Sequence, residues 1–396
     1  MKLAFIQGGS RWKIDNEGNY YTDANLNEEI WNRYIRFCDS MIVILRREEQ
    51  IYTKQEAAAK FNYFDKKRFE SCHIPDIYRP KKNFFSLSKQ FEVRRKIQKV
   101  IGGVDFVIVR EPGNLYSNEA IKAARKYKIP YLIEVTSDVF GVFWSWGGVI
   151  GKIRALVSNQ KCKSIIRHAP YVIYVTQHYL QGRYPTNGKS IGCSDADIQL
   201  LSEDEFSEQL EKVNKDKKTL KIGTAAYLNV TYKGQGDVIR VLAELAKKGI
   251  DGFEYHLLGS GDSGNLVRLA EHLGLREKVI IDGAVPHEQV SQWLDTLDIY
   301  IQPSYQEGLC RAIIEAIARG CPTICTNVGG NSELIPTQDM YQAGDLEQLE
   351  DLLLSFRDRQ RRVKASIAGY KVAQNFTREV LDRKRDQMLN LFFDKR

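Results

Sequence analysis

No apolar run in this chain of 396 residues approaches the roughly 18 residues that a membrane-spanning helix requires. Its opening, MKLAFIQGGSRW, lacks the apolar core and cleavage site of a secretory leader, so the sequence reads as cytoplasmic. Zinc-ligand spacing is missing as well: the seven cysteines, Cys38, Cys72, Cys162, Cys193, Cys310, Cys321 and Cys325, are scattered and odd in number. That pattern argues for reduced structural thiols and against a disulfide framework. No internal repeat or low-complexity segment is visible. What remains, 43% hydrophobic and 27% charged residues, is ordinary for globular protein, and the length favours two domains.

Acidic residues are scarce in the first half only. Residues 1 to 195 carry 32 Lys+Arg against 19 Asp+Glu, whereas the remainder carries 26 against 31. The segments FDKKRFE, RPKKNFFSLSK and EVRRKIQK supply most of the excess. A basic half beside a mildly acidic one points to an anionic surface, substrate or nucleic acid, and a solvated basic face explains it equally well.

Short β-branched runs alternate with helical patterns: KLAFIQGG, SMIVILR, VDFVIVRE, IPYLIEVTS and PYVIYVT in the first half, then LKIGTAAYL, FEYHLLGSG, KVIIDGAV, LDIYIQPS and CPTICTNVGG. Such repetition predicts two α/β units with parallel sheets, binding ligands beyond the C-terminal ends of their strands. Residues 201–219, charged and nearly free of aromatics, read as the segment between them. The terminal TREVLDRKRDQMLNLFFDKR reads as an amphipathic helix with Val380, Met388, Leu391 and Phe392 among its apolar positions.

The stretch IQPSYQEGLCRAIIEAIARGCPTI, residues 301 to 324, reads as strand, loop and helix, the helix ending at Gly320. It places Glu307 in the loop and Glu315 two turns into the helix. Acids near a helix start are favoured electrostatically whether or not they do chemistry. Here, however, backbone N–H groups of Leu309 and Cys310 would be unsatisfied donors, suited to phosphate or sugar oxygens. The two carboxylates are matched to the hydroxyl groups of ribose or a hexose. Nearby, TNVGGNSELI sets two glycines and Glu333 after the next strand, LNVTYKGQGD offers Lys233 as a cation for a diphosphate, and FIQGGSR predicts a Gly8-Gly9 turn as a phosphate cradle.

Taken together, KG, LLGSG, IDGAVPHEQV, PSYQEGLCRAIIEAIARGCP and NVGGNSELI, spanning about residues 220 to 336, resemble the donor domain of glycosyltransferase family 4. VIVREPGNLYSNEAIKAARKYKIPYLIEVTSDVFGVFWSWGG is similar to the corresponding region of relatives that build bacterial surface polysaccharides. The resemblance implies a GT-B fold: two Rossmann-like doubly wound domains, with the active site in the cleft between them. Residues 1–200 would bind acceptor and 201–375 the nucleotide-sugar donor, with a helix over 376–396 packing back across the junction. It also implies retaining, metal-independent transfer of a hexosyl unit from a nucleotide-diphosphate sugar to a glycan or lipid-diphosphate-linked acceptor, in polysaccharide biosynthesis and without a cofactor.

Carried over by residue, the resemblance implies that Glu315 holds the ribose hydroxyls. Glu307 would bond the transferred sugar, and backbone N–H groups from Gly308 through Leu309 to Cys310 would touch sugar and phosphate. Lys233 would neutralise the leaving diphosphate, Gly8 and Gly9 would approach it from the other domain, and the loop around Val285 would face the base. The family usually sets an arginine about five residues before its lysine; AAYLNVTYK has none, and Arg11 is a candidate substitute.

On the acceptor side the candidate is Asp138, in EVTSDVF, whose alternative reading is a turn or helix-cap aspartate. Beside it Phe143, Trp144 and Trp146 are suited to core packing, sugar stacking or a membrane interface. With KKNFFSLSK they lead us to expect peripheral contact with an anionic membrane at its inner face. Two rivals are a GT-B sugar-nucleotide epimerase, which would convert donor without acceptor, and a basic nucleic-acid-binding module. The latter is disfavoured because no recognisable nucleic-acid motif is present.

Overall fold

The computed structural model describes residues 1–23, 26–144 and 148–394. Two parallel sheets organise the chain. In the first, the strands run in space Glu70–Ile74, Ser40–Tyr52, Lys2–Asp15, Phe106–Arg110, Tyr131–Val135, Tyr171–Tyr174 and Lys189–Gly192. In the second they run Val279–Gly283, Phe253–Leu258, Leu220–Ala225, Ile299–Gln302, Thr323–Thr326 and Met340–Tyr341. Each first strand lies centrally and the order reverses beside it. The crevice where it reverses is where such sheets bind ligands. The doubly wound expectation is met in both halves.

One expectation fails at the start of the chain. Gly8 and Gly9 do not form a turn, because the first strand continues through them to Asp15. Ile6 pairs with Ile44 and Arg11 with Arg46, so Gln7–Ser10 bow out as a bulge. The strand continues because Trp12 is wholly buried beyond the bulge, its ring stacked on His73 and edge-on to Phe64. Two short antiparallel strands, Tyr20–Thr22 and Asn62–Phe64, extend this end of the sheet.

The charged 201–219 segment is also more ordered than its composition implies. Ser202 and Glu205 form a reciprocal capping box that starts a helix, Glu203–Val213. Phe206 of that helix stacks on Tyr370 with centroids 3.8 Å apart. Arg362 is buried and donates to the carbonyls of Val213 and Lys215, which ties the segment to the second domain.

The last helix, Arg378–Phe393, returns to the first domain. Phe392 packs on Phe106 and Tyr171, and Phe393 stacks on Phe37, while Leu391 is exposed. Its Arg385 is buried and donates to the Ser194 carbonyl at 2.9 Å. Asp195 next to it faces Arg110, Arg33 and Arg385. Burial alone would raise the Asp195 pKa, but these guanidinium groups carry it down to about 2.

His73 reports on the packing of the bulged strand. Its ring lies between Trp12 and Tyr20, and burial, with Arg47 and Lys96 nearby, lowers its pKa from 6.5 to about 4. The unfolded ring therefore takes a proton that the folded ring refuses between those values, so stability falls as pH drops through that window and is unaffected above it. Thermal melts should show a midpoint that declines from about pH 7 to about pH 5. A His73→Phe variant should flatten part of that decline, and an unchanged profile would contradict the assignment.

Candidate active site

The loops after Leu220–Ala225 and Ile299–Gln302, the two strands flanking the reversal in the second sheet, are pressed together. Gly234 has φ of 74°, and a Cβ there would lie 1.9 Å from the Pro303 carbonyl oxygen. Only glycine permits both the left-handed turn and the approach. The Tyr305 N–H donates to the Tyr232 carbonyl at 2.8 Å. Lys233 is thereby carried to Glu307, with Nζ 2.7 Å from Oε1. Burial disfavours the ammonium, but the Glu307 carboxylate outweighs it and holds the Lys233 pKa above the ordinary lysine value.

Glu307 is positioned from below by a polar chain. The Tyr300 hydroxyl donates to Gln302 Oε1 at 2.6 Å, and Gln302 Nε2 reaches Ser304 at 2.8 Å and Glu307 Oε1 at 3.4 Å. Both donors to Glu307 converge on Oε1, so among the described residues nothing donates to Oε2. That oxygen is available to a ligand hydroxyl.

The GGNSE segment works differently from its reading in the sequence. Gly329, at φ of 60°, and Gly330 lie against the backbone of Glu307 and Gly308, and the Gly330 N–H donates to the Gly308 carbonyl at 2.7 Å. These glycines admit a neighbouring protein loop. Glu333 crosses to the first domain and accepts from the N–H groups of Gln177, His178 and Tyr179 at 2.6, 3.0 and 2.8 Å. Gly308 completes the contact between domains, since a Cβ on it would meet the Thr136 carbonyl oxygen at 2.6 Å.

A cleft of about 1050 Å³ opens between the domains beside Glu307. Phe140, Trp144, Tyr179 and Arg183 line it from the first domain, and Asn229, Asp237, Tyr305 and Gln306 from the second. Asp138 also lines it, held by donors from its own domain. Its Oδ1 accepts from the Tyr184 hydroxyl at 2.5 Å, Arg183 Nε at 2.9 Å and the Phe140 N–H at 3.1 Å, and Oδ2 accepts from the Tyr179 hydroxyl at 3.2 Å. A buried carboxylate with three donors on Oδ1 and one on Oδ2 anchors the cleft wall, and Oδ2 keeps acceptor capacity.

Glu315 lies on the helix Arg311–Ala318 and lines a separate cavity of about 190 Å³ with Glu288, Ser291 and Arg319. The helix begins at Arg311 with Cys310 as its cap. Cys310 itself is buried, and burial followed by the Glu307 charge pushes its thiol well up, so only its backbone is available to a ligand. Leu309 is half-buried and packs against the core. Val285 is half-buried in the loop after Val279–Gly283 and lines neither cavity.

Gly8 and Gly9 also line neither cavity. A Cβ on Gly8 would meet the Asn114 side chain at 2.0 Å, and one on Gly9 the Glu111 carboxylate at 2.8 Å. Arg11 does not serve Lys233, because its Nε is bound to Asp76 at 2.7 Å. Trp144 is exposed at the cleft and stacks on Phe140, whereas the Phe143 side chain and Trp146 lie outside the described residues. No cluster of three His, Cys, Asp or Glu side chains capable of holding a metal occurs among the described residues.

Sequence reasoning missed Tyr179, Arg183 and Tyr184. Their spacing after the strand Tyr171–Tyr174 places one face of a short helix against Asp138, a signal visible only once that strand end is known to face the cleft. It also missed Glu111, held at φ of 59° where Phe106–Arg110 ends beside Gly9. Left-handed backbone is uncommon for a non-glycine residue.

Comparison with known proteins places these loops in context. Residues 202–372 match the family model described as glycosyl transferases group 1. Protein CapJ of Staphylococcus aureus is 32% identical over 380 residues, which cover 93% of this chain and 92% of CapJ. The putative colanic acid biosynthesis glycosyltransferase WcaL of Escherichia coli is 28% identical over 170 residues, covering 40% of this chain and 42% of WcaL. Among solved structures, Anabaena HepE in complex with UDP-glucose superposes with a TM-score of 0.66 at 16% identity, covering 99% of this chain and 100% of HepE. The fold is GT-B, two Rossmann-like domains facing one cleft.

Replacing Asp138 by Ala would strip partners from Tyr184, Arg183 and Phe140 at once. The expected loss is about 3 kcal/mol of stability, read as a lower urea midpoint with unchanged slope. A variant of undiminished stability would return Asp138 to the role of an unencumbered acceptor-side carboxylate.

Proposed function

The chain belongs to the glycosyl transferases group 1 family, and on that premise we propose that it is a retaining, family 4-like hexosyltransferase. Its donor is a nucleotide-diphosphate sugar, and its acceptor a glycan or lipid-diphosphate-linked glycan in polysaccharide biosynthesis. The observation that carries this reading is the Lys233–Glu307 pair at the reversal of the second sheet, with Glu307 lining the cleft and both its donors among the described residues on Oε1. Support for the donor class comes from HepE, a fold relative solved with UDP-glucose. Support for the pathway class comes from WcaL, named for colanic acid biosynthesis.

In this reading Glu315 accepts hydrogen bonds from the ribose hydroxyls, and Glu307 Oε2 accepts from the sugar. The helix beginning at Arg311 turns its N-terminus toward the diphosphate, so the N–H groups preceding it and the Lys233 ammonium meet the charge that develops on the leaving group. Lys233 holds its proton through neutral pH because the adjacent carboxylate favours the charged form. The bond from the anomeric carbon to the phosphate oxygen breaks as the acceptor oxygen bonds that carbon on the same face. The acceptor's proton passes to the departing phosphate. Glu307 steadies the oxocarbenium-like sugar electrostatically, and Asp138 braces the opposite wall.

A thermal-shift screen of UDP- and GDP-sugars tests the donor site, since a ligand of the folded form raises the melting temperature. One of them should raise it by several degrees, and no shift with any would defeat the reading. Glu315→Ala should weaken nucleotide binding about tenfold. Glu307→Gln should cut turnover about a hundredfold while leaving nucleotide affinity within about twofold. Conversion of donor without acceptor would favour an epimerase instead.

A further inference from the structure

We propose that the sugar accepting the transferred unit carries a carboxylate, as a uronic acid does, and that Arg183 recognises it. The inference deepens the glycosyltransferase reading and rests on it, because the acceptor must then lie in the cleft beside Glu307. Arg183 lines that cleft from the first domain, at the end of the short helix Tyr179–Arg183. Its wall abuts the loop that bears Glu307: a Cβ on Gly141 would lie 3.0 Å from the Gln306 side chain and 3.3 Å from Asp138 Oδ2. A group held on this wall is therefore a neighbour of the site assigned to the donor sugar.

The guanidinium is fixed before any ligand arrives. Its Nε donates to Asp138 Oδ1 at 2.9 Å, and its central carbon lies 4.9 Å from the Phe140 ring centroid. The side chain is 31% exposed, and among the described residues nothing accepts from Nη1 or Nη2. Two N–H groups along one guanidinium edge match the two oxygens of a carboxylate, and an edge already held in place loses little freedom on binding.

The carboxylates of the cleft leave that edge unclaimed. Asp237 accepts from Arg240 Nη1 at 2.8 Å and from the Tyr305 hydroxyl at 2.7 Å, and Glu307 is paired with Lys233. Asp138 takes only the Nε of Arg183. It also selects the anion. A phosphate dianion would bring two charges beside Asp138 with one guanidinium to offset them, whereas a carboxylate brings one. Phe140 and Trp144, stacked with centroids 5.1 Å apart, line the same wall and offer an aromatic surface to the sugar ring.

Titration of the full chain with methyl glucuronoside and methyl galacturonoside, each against its neutral carboxamide, tests the proposal by ligand-observed NMR. At least one acid should bind in the millimolar range, about tenfold tighter than its amide. In Arg183→Gln that ratio should fall to within about twofold, whereas Arg240→Gln, which removes a cleft cation from the other domain, should keep the parent ratio. Because Arg183→Gln also loses the bond to Asp138, Arg183→Lys is measured beside it; keeping the charge without the fork, it should give an intermediate ratio. Equal binding of acid and amide by the parent, binding of neither, or an undiminished ratio in the Arg183 variants would overturn the proposal. So would an equal loss in Arg240→Gln, or tighter binding of methyl glucoside 6-phosphate than of either acid. A preference for the acid without any nucleotide-sugar thermal shift would leave the carboxylate site standing and defeat the donor reading, and the shift without the preference would do the reverse.

Discussion

The backbone of Glu307 and Gly308 is clamped on three sides, and the candidate active site depends on that clamp. Gly329 and Gly330 lie against one side, with the Gly330 N–H bonded to the Gly308 carbonyl. Thr136 of the first domain covers another at a distance that admits no side chain on residue 308. Lys233, delivered by the left-handed turn at Gly234, closes the third by pairing with the Glu307 carboxylate. Glycine is needed at each contact because two backbones approach closer than a Cβ allows. One carboxylate that lines the cleft is thereby held through a single oxygen.

Two acids end up facing each other's domain across the same opening, and partner number separates their roles. Asp138 holds four donors, two tyrosine hydroxyls, a guanidinium and an N–H, three of them on Oδ1. Glu307 has two donors on a single oxygen. The first therefore stiffens a wall, and the second keeps capacity for a ligand. Residue type and placement at a strand end do not distinguish them.

The two domains are joined by unlike contacts. At the cleft, Glu333 caps three N–H groups at the start of the short helix Tyr179–Arg183, a charge-assisted interaction that can be exchanged for water. Behind it, the terminal helix buries Phe392 and Phe393 in the first domain, and Asp195 sits among three arginines. Apolar burial and desolvated ion pairs are costly to open. The back of the molecule is thus joined by apolar and ionic burial, and the cleft side by hydrogen bonds and close backbone approach.

Much of the architecture was legible locally. β-branched runs such as DIYIQPS become strands such as Ile299–Gln302 because extended backbone and half-buried pleats suit those side chains. Gly320 ends its helix in the left-handed conformation that glycine alone adopts freely. Even the charged 201–219 segment carried its capping box in plain sight at Ser202 and Glu205. The failures came where distant residues decide. Gly8 and Gly9 promised a turn, but burial of Trp12 against Phe64 and His73 keeps the strand running. Asp138 promised a free carboxylate, but Arg183 and Tyr184 arrive from 45 and 46 positions away. Periodicity, turn chemistry and helix termini are properties of neighbouring residues, so the sequence by itself determined the two doubly wound domains and the loops that bear Lys233, Glu307 and Glu315. Which carboxylate is held through a single oxygen depends on packing between segments remote along the chain, and only the tertiary structure decided it.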